Sequence, residues 1–171
     1  MHDCTHEELL GLAQQQGFSG LTRVEGDFCS WLRRTDFQPP SRFEDIGRIE
    51  FESSERLFEY GVHQEYFDIW ERLPFSTGDE YLSVTFPPGE EESSSCPSRI
   101  LLATGRYFIQ VRPRLMALPQ ADDLLALAAD DSSLRSVLDF EISFGTRGPG
   151  AWTITHSTLP WLEGEPLLDH D

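Results

Sequence analysis

The chain has 171 residues, 39% of them hydrophobic and 12% aromatic, which suits one domain large enough to bury a core. Its 30 acidic and 13 basic residues give a net charge of −17, so phosphate backbones and anionic membrane surfaces are repelled and neither nucleic acid nor membrane is an expected partner. Every basic residue is Arg, and the absence of Lys excludes Schiff-base, pyridoxal and P-loop chemistry, each of which needs a placed amine.

The start, Met1 to Glu8, is polar and acidic, unlike a signal peptide. No apolar run approaches the roughly 20 residues of a membrane span, so a cytoplasmic location is the expectation. Within residues 1–17 the pattern predicts a helix from Thr5 to Gln16. Thr5 and Glu8 make a capping box, Leu9, Leu12 and Ala13 share a face, and Gly17 stops it. A first strand segment runs from about Leu21 to Arg34, broken at Gly26-Asp27 by a hairpin or bulge. Pro39-Pro40 removes ladder donors and marks an irregular connection.

Strands are predicted at Gly47–Glu52, Arg56–Gly61, Glu65–Leu73, Glu80–Phe86, Ser98–Thr104, Tyr107–Pro113, Leu138–Gly145 and Trp152–Thr158, separated by turn residues. Residues 87–97, acidic and Ser-rich, read as a mobile surface loop, and 165–171 as a frayed tail. One short helix is expected near 121–137, with Leu124, Leu127 and Ala128 as its apolar face. The sum is a mainly β chain: a single antiparallel barrel of about nine or ten strands, closed or nearly so, with an N-terminal helix.

Alternation then assigns faces. Leu138, Phe140, Ile142 and Phe144 oppose Asp139, Glu141 and Ser143, and Tyr107, Ile109 and Val111 oppose Phe108, Gln110 and Arg112; the apolar sides are expected inward. Two strands carry more chemistry. Tyr66, Asp68, Trp70 and Arg72 share one face of Glu65–Leu73, and Trp152, Ile154 and His156 one face of the last strand. Trp31, Tyr66, Trp70, Arg72, Trp152 and His156 are therefore the candidate ligand-binding residues. Aromatic walls with a few polar groups line most small-molecule pockets, and an internal Arg fork suits a carboxylate. The plainer reading leaves Tyr66, Asp68 and Arg72 on an exposed face with a surface ion pair, and His156 at a barrel end.

No catalytic residue is singled out. His156 and Ser157 are adjacent on a strand and point to opposite faces, and no G-x-S-x-G elbow exists. Cys4, Cys29 and Cys96 are odd in number and lack CxxC spacing, so neither a metal site nor a disulfide framework is expected. A haem ligated by His156 is an alternative in a barrel of this kind, but no cofactor is assigned.

Several stretches carry a resemblance: Val24-Glu25-Gly26-Asp27 with Trp31, Asp36-Phe37-Gln38-Pro39-Pro40, Tyr66 with Trp70-Glu71-Arg72, Leu138 to Gly145, and Trp152 with His156-Ser157-Thr158-Leu159-Pro160-Trp161. In combination they are similar to the Hri-type family of lipocalin-like proteins, over roughly Phe18 to Gly164. The resemblance implies a calycin-like barrel and brings no catalytic residues. The leading expectation is a lipocalin-like barrel whose lumen binds a small, partly apolar ligand, an acid being well suited. The alternatives are a filled barrel that binds a basic protein through its acidic surface, and an enzyme using His156.

Overall fold

The computed structural model describes residues 4–78, 80–86 and 98–167. Ten strands form two five-stranded antiparallel sheets, each a meander of sequence neighbours. The first contains β1 (Phe18–Glu25), β2 (Phe28–Asp36), β3 (Asp45–Phe51), β4 (Arg56–Gly61) and β5 (Phe67–Glu71). The second contains β6 (Tyr81–Phe86), β7 (Arg99–Thr104), β8 (Tyr107–Arg112), β9 (Glu141–Arg147) and β10 (Trp152–Ser157). Tight turns produce this order. Gly26, at φ 60°, turns β1 into β2, and Gly105, at φ 53°, turns β7 into β8.

Among the described residues no ladder joins β5 to β6 or β10 to β1. At β10 the reason is local. Its outer edge is occupied by the following segment: Gly164 N donates to Ile154 O, Ile154 N to Glu165 O, and Leu167 N to Trp152 O at 2.7 Å. Residues 165–167 are thus tied down rather than frayed, and only 168–171 lie outside the described residues. After β5 the chain instead docks on the β7–β8 turn, where Arg106 N donates to Phe75 O and the Tyr107 hydroxyl to Pro74 O. The loop expected at 87–97 lies outside the described residues.

The first helix, α1, spans His6–Leu12 and has the anticipated capping box, with Thr5 and Glu8 each satisfying the other's backbone N–H. It stops short of Gln16 because Gln38 Nε2 donates to the carbonyls of Ala13 and Gln15, replacing a further helical turn. The single helix expected near 121–137 is divided. A 3₁₀ turn at Leu125–Leu127 precedes α2 (Asp131–Leu138), which begins where the Asp130 carboxylate accepts from Ser133 N at 2.8 Å. Leu138 therefore ends a helix rather than opening β9.

One core lies under these helices. Leu9 of α1, Ala13 at its C-terminal cap, and Leu134 and Val137 of α2 pack on Phe37, Val111 and Phe140. Arg114, only 5% exposed, pins this junction: Nη1 donates to Asp36 O, Nη2 to Phe37 O, and Nε to Val137 O. Its guanidinium lies against the rings of Phe37 and Phe140. A second core, on the inner face of the second sheet, joins Leu101, Ala103, Phe108 and Ile154 beneath Leu162 and Leu167.

That inner face reverses the expected polarity of β8 and β9. Phe108, Gln110, Glu141 and Ser143 are buried, whereas Tyr107, Ile109 and Phe144 stay partly exposed. The polar groups are buried because they satisfy one another. Glu141 Oε1 accepts from Gln110 Nε2 at 3.0 Å and from Ser143 Oγ at 2.7 Å, and Arg112 Nε lies 3.4 Å from Oε2. On the other side only Val111 and Ile142 are covered, by the helices.

Candidate functional site

The register places Cys29, Trp31, Asp45, Gly47, Ile49, Glu59, Asp68 and Trp70 on one face of the first sheet. Trp31 pairs with Asp45, while Trp70 pairs with Leu57 and through it with Phe51. In a flat sheet their Cα atoms would stand about 25 Å apart, three strand spacings sideways and six residues lengthwise. Their rings are instead stacked, 6.3 Å between centroids and 9° between planes. The sheet is therefore strongly curled, with this face concave.

Beneath the two indoles lies Glu59 of β4, only 3% exposed. Oε1 accepts the Tyr66 hydroxyl at 2.5 Å, and Oε2 accepts the Trp70 indole N–H at 2.6 Å. Both bonds are charge-assisted, which is how a carboxylate persists at such burial. The space is cleared by two cross-strand glycines, Gly47 and Gly61. A Cβ on Gly47 would lie 2.6 Å from Glu59 Cγ and Oε1, and one on Gly61 would lie 2.5 Å from the Tyr66 ring. Glycine is needed here for room, since the space beside Gly47 is filled by the Glu59 side chain and that beside Gly61 by the Tyr66 ring and the Gln64 carbonyl.

The electrostatics are one-sided. Arg33 is engaged by Asp36 and Asp45, leaving no cation paired with Glu59 or Asp68 among the described residues. Burial, then hydrogen bonding to Glu59 and its charge, push the Tyr66 hydroxyl pKa well up. Burial, followed by the charges of Glu59 and Asp45, also raises the Cys29 thiol, so it stays protonated and unreactive at neutral pH. A half-open depression of about 350 Å³ on the same sheet is lined by Val24, Ile49 and Phe51 together with Gly26, Asp27, Arg48 and Glu50, and Ile49 pairs directly with Glu59.

Of the six residues proposed from sequence, Trp31, Tyr66 and Trp70 are brought together here. Arg72 lies just beyond β5, where its guanidinium donates to Ser54 O and pairs with Glu55. Trp152 sits in the second sheet, 5.4 Å from the Phe108 ring, with the Arg147 guanidinium over its face. His156 is exposed, its Nδ1 3.1 Å from Thr155 Oγ1 and its ring against Phe144. Trp152 and His156 do not share a face. The register slips between Ile154 and His156, and the bulge turns His156 outward.

Glu59 is the residue the sequence reading missed. The available signal was alternation in β4, where Leu57, Glu59 and Gly61 oppose Phe58 and Tyr60, with a glycine pair beside the acid. Among the described residues no group of three or more metal-ligating side chains occurs. Comparison with protein-family models, curated proteins and solved structures finds no match for this chain.

Proposed function

We propose that this protein is a lipocalin-like, calycin-like binding protein that takes a small, partly apolar ligand on the concave face of its first sheet. The observation that carries this reading is the Trp31–Trp70 stack, closed over a buried carboxylate by a sheet curled far more than its own pairing requires. Half of the Trp70 surface remains exposed, so a ligand has an aromatic wall to pack on. The polar groups proposed from sequence, Arg72 and His156, are engaged elsewhere, which moves the site to Trp31, Glu59, Tyr66 and Trp70. An exposed His156, with no carboxylate partner among the described residues, offers no acid–base pair and leaves the enzyme alternative without support.

Isothermal titration calorimetry with small amphipathic aromatics (benzyl alcohol, benzylamine and phenylacetate) tests the reading. At least one is expected to give saturable heat that Trp70→Ala reduces about tenfold or more in affinity. Absence of saturable binding by all three, or affinity unchanged in Trp31→Ala and Trp70→Ala, overturns it.

A further inference from the structure

Resting on the ligand-binding reading above, we propose that the head group accepted at Trp31, Glu59 and Trp70 is a cation, an organic ammonium, rather than an acid. Three features converge on this charge. Glu59 is buried with two hydrogen-bond donors but no cationic partner among the described residues, so its negative charge is balanced by dipoles alone. The donor at Oε2 is the indole of Trp70 itself. An indole N–H donating to a carboxylate is polarised toward that anion, which makes its π face more negative and a better seat for a cation.

The third feature is that, among the described residues, no resident cation sits over either indole. Guanidinium groups lie over many rings of this chain, including Phe18, Phe37, Tyr60, Phe140 and, by Arg147, Trp152. Among the described residues none lies over Trp31 or Trp70. No arginine of the described residues therefore competes with a ligand for the faces of the two indoles over the buried carboxylate. Asp68, the cross-strand neighbour of Glu59, is exposed and adds the same sign of field at the rim. An anionic ligand would meet Glu59 and Asp68, neither of which has an ion-pair partner among the described residues, while the nearby Arg33 is already engaged by Asp36 and Asp45.

The test compares benzylamine with benzyl alcohol, which share shape and differ in charge, by calorimetry at neutral pH and low salt. Benzylamine is expected to bind about tenfold more tightly, with the preference falling to about twofold or less in Glu59→Gln. Equal affinity of the two in the unmodified protein, or tighter binding of phenylacetate, overturns the cation assignment while the ligand-binding reading stands. A preference that survives unchanged in Glu59→Gln also overturns it. Failure of every probe to bind overturns both. The comparison in the unmodified protein decides the charge even where the variant does not fold.

Discussion

Replacing Arg114 should destabilise this protein more than any single surface change, and the size of the loss follows from its contacts. The guanidinium donates to three backbone carbonyls, those of Asp36, Phe37 and Val137, and packs on two aromatic rings. Hydrogen bonds to a charged donor contribute about 1.5–3 kcal/mol each, a gross gain of roughly 4–9 kcal/mol. Against this stands the cost of burying the cation, several kcal/mol. Burial lowers the Arg114 pKa to about 10, while Asp36 and Asp139 pull the other way, so the group remains protonated at neutral pH. The balance is a loss of about 2–4 kcal/mol for Arg114→Ala, a large part of the roughly 5–15 kcal/mol typical of a domain. Urea unfolding followed by circular dichroism should show the midpoint falling by on the order of 1–2 M. Arg114→Lys keeps the charge but loses the fork, and about half the loss is expected. If Arg114→Met unfolds within about 0.5 kcal/mol of the parent, the fork contributes nothing and the reasoning fails.

Two further outcomes concern Glu59. Gly47→Ala introduces a Cβ into the carboxylate it would touch at 2.6 Å, and should cost about 1–3 kcal/mol while shifting Trp emission; Gly47→Ala with unchanged emission and stability would show that Glu59 moves freely. Tyr66 has a folded-state pKa raised above its unfolded value near 10, so its contribution is intact below about pH 10 and is lost as pH rises further. Absorbance titration of phenolate should therefore show one tyrosine resisting ionisation until the protein unfolds, and Tyr66→Phe should remove that late component; four tyrosines titrating together in the parent would contradict it.

The candidate site was half legible in the sequence. Trp31, Tyr66 and Trp70 stood out because large aromatics on strands otherwise mixed in polarity have few plain roles. Glu59 did not, since an acid in a strand of this chain reads as one more solvent-facing charge. Its burial depends on Gly47, twelve residues earlier and on another strand, leaving space for it. The polarity of β8 and β9 was misread for a related reason. Alternation sorts side chains into two faces, but which face is inward depends on what covers it. Gln110, Glu141 and Ser143 face inward because they can satisfy one another, a pairing visible only across strands.

The sequence by itself determined the local elements: the Thr5–Glu8 capping box, the Gly26 and Gly105 turns, and a meander of short strands, all set by interactions between residues a few positions apart. Tertiary structure alone decided how the strands divide and where chemistry collects. Among the described residues the ladder is left open at β10, whose edge the 164–167 segment occupies, and divided after β5, where the chain docks on the β7–β8 turn. The bulge before His156, the curl that stacks Trp31 on Trp70, and the burial of Glu59 all rest on contacts between distant residues. Periodicity along a chain records which residues share a face; it carries no information about what that face will meet.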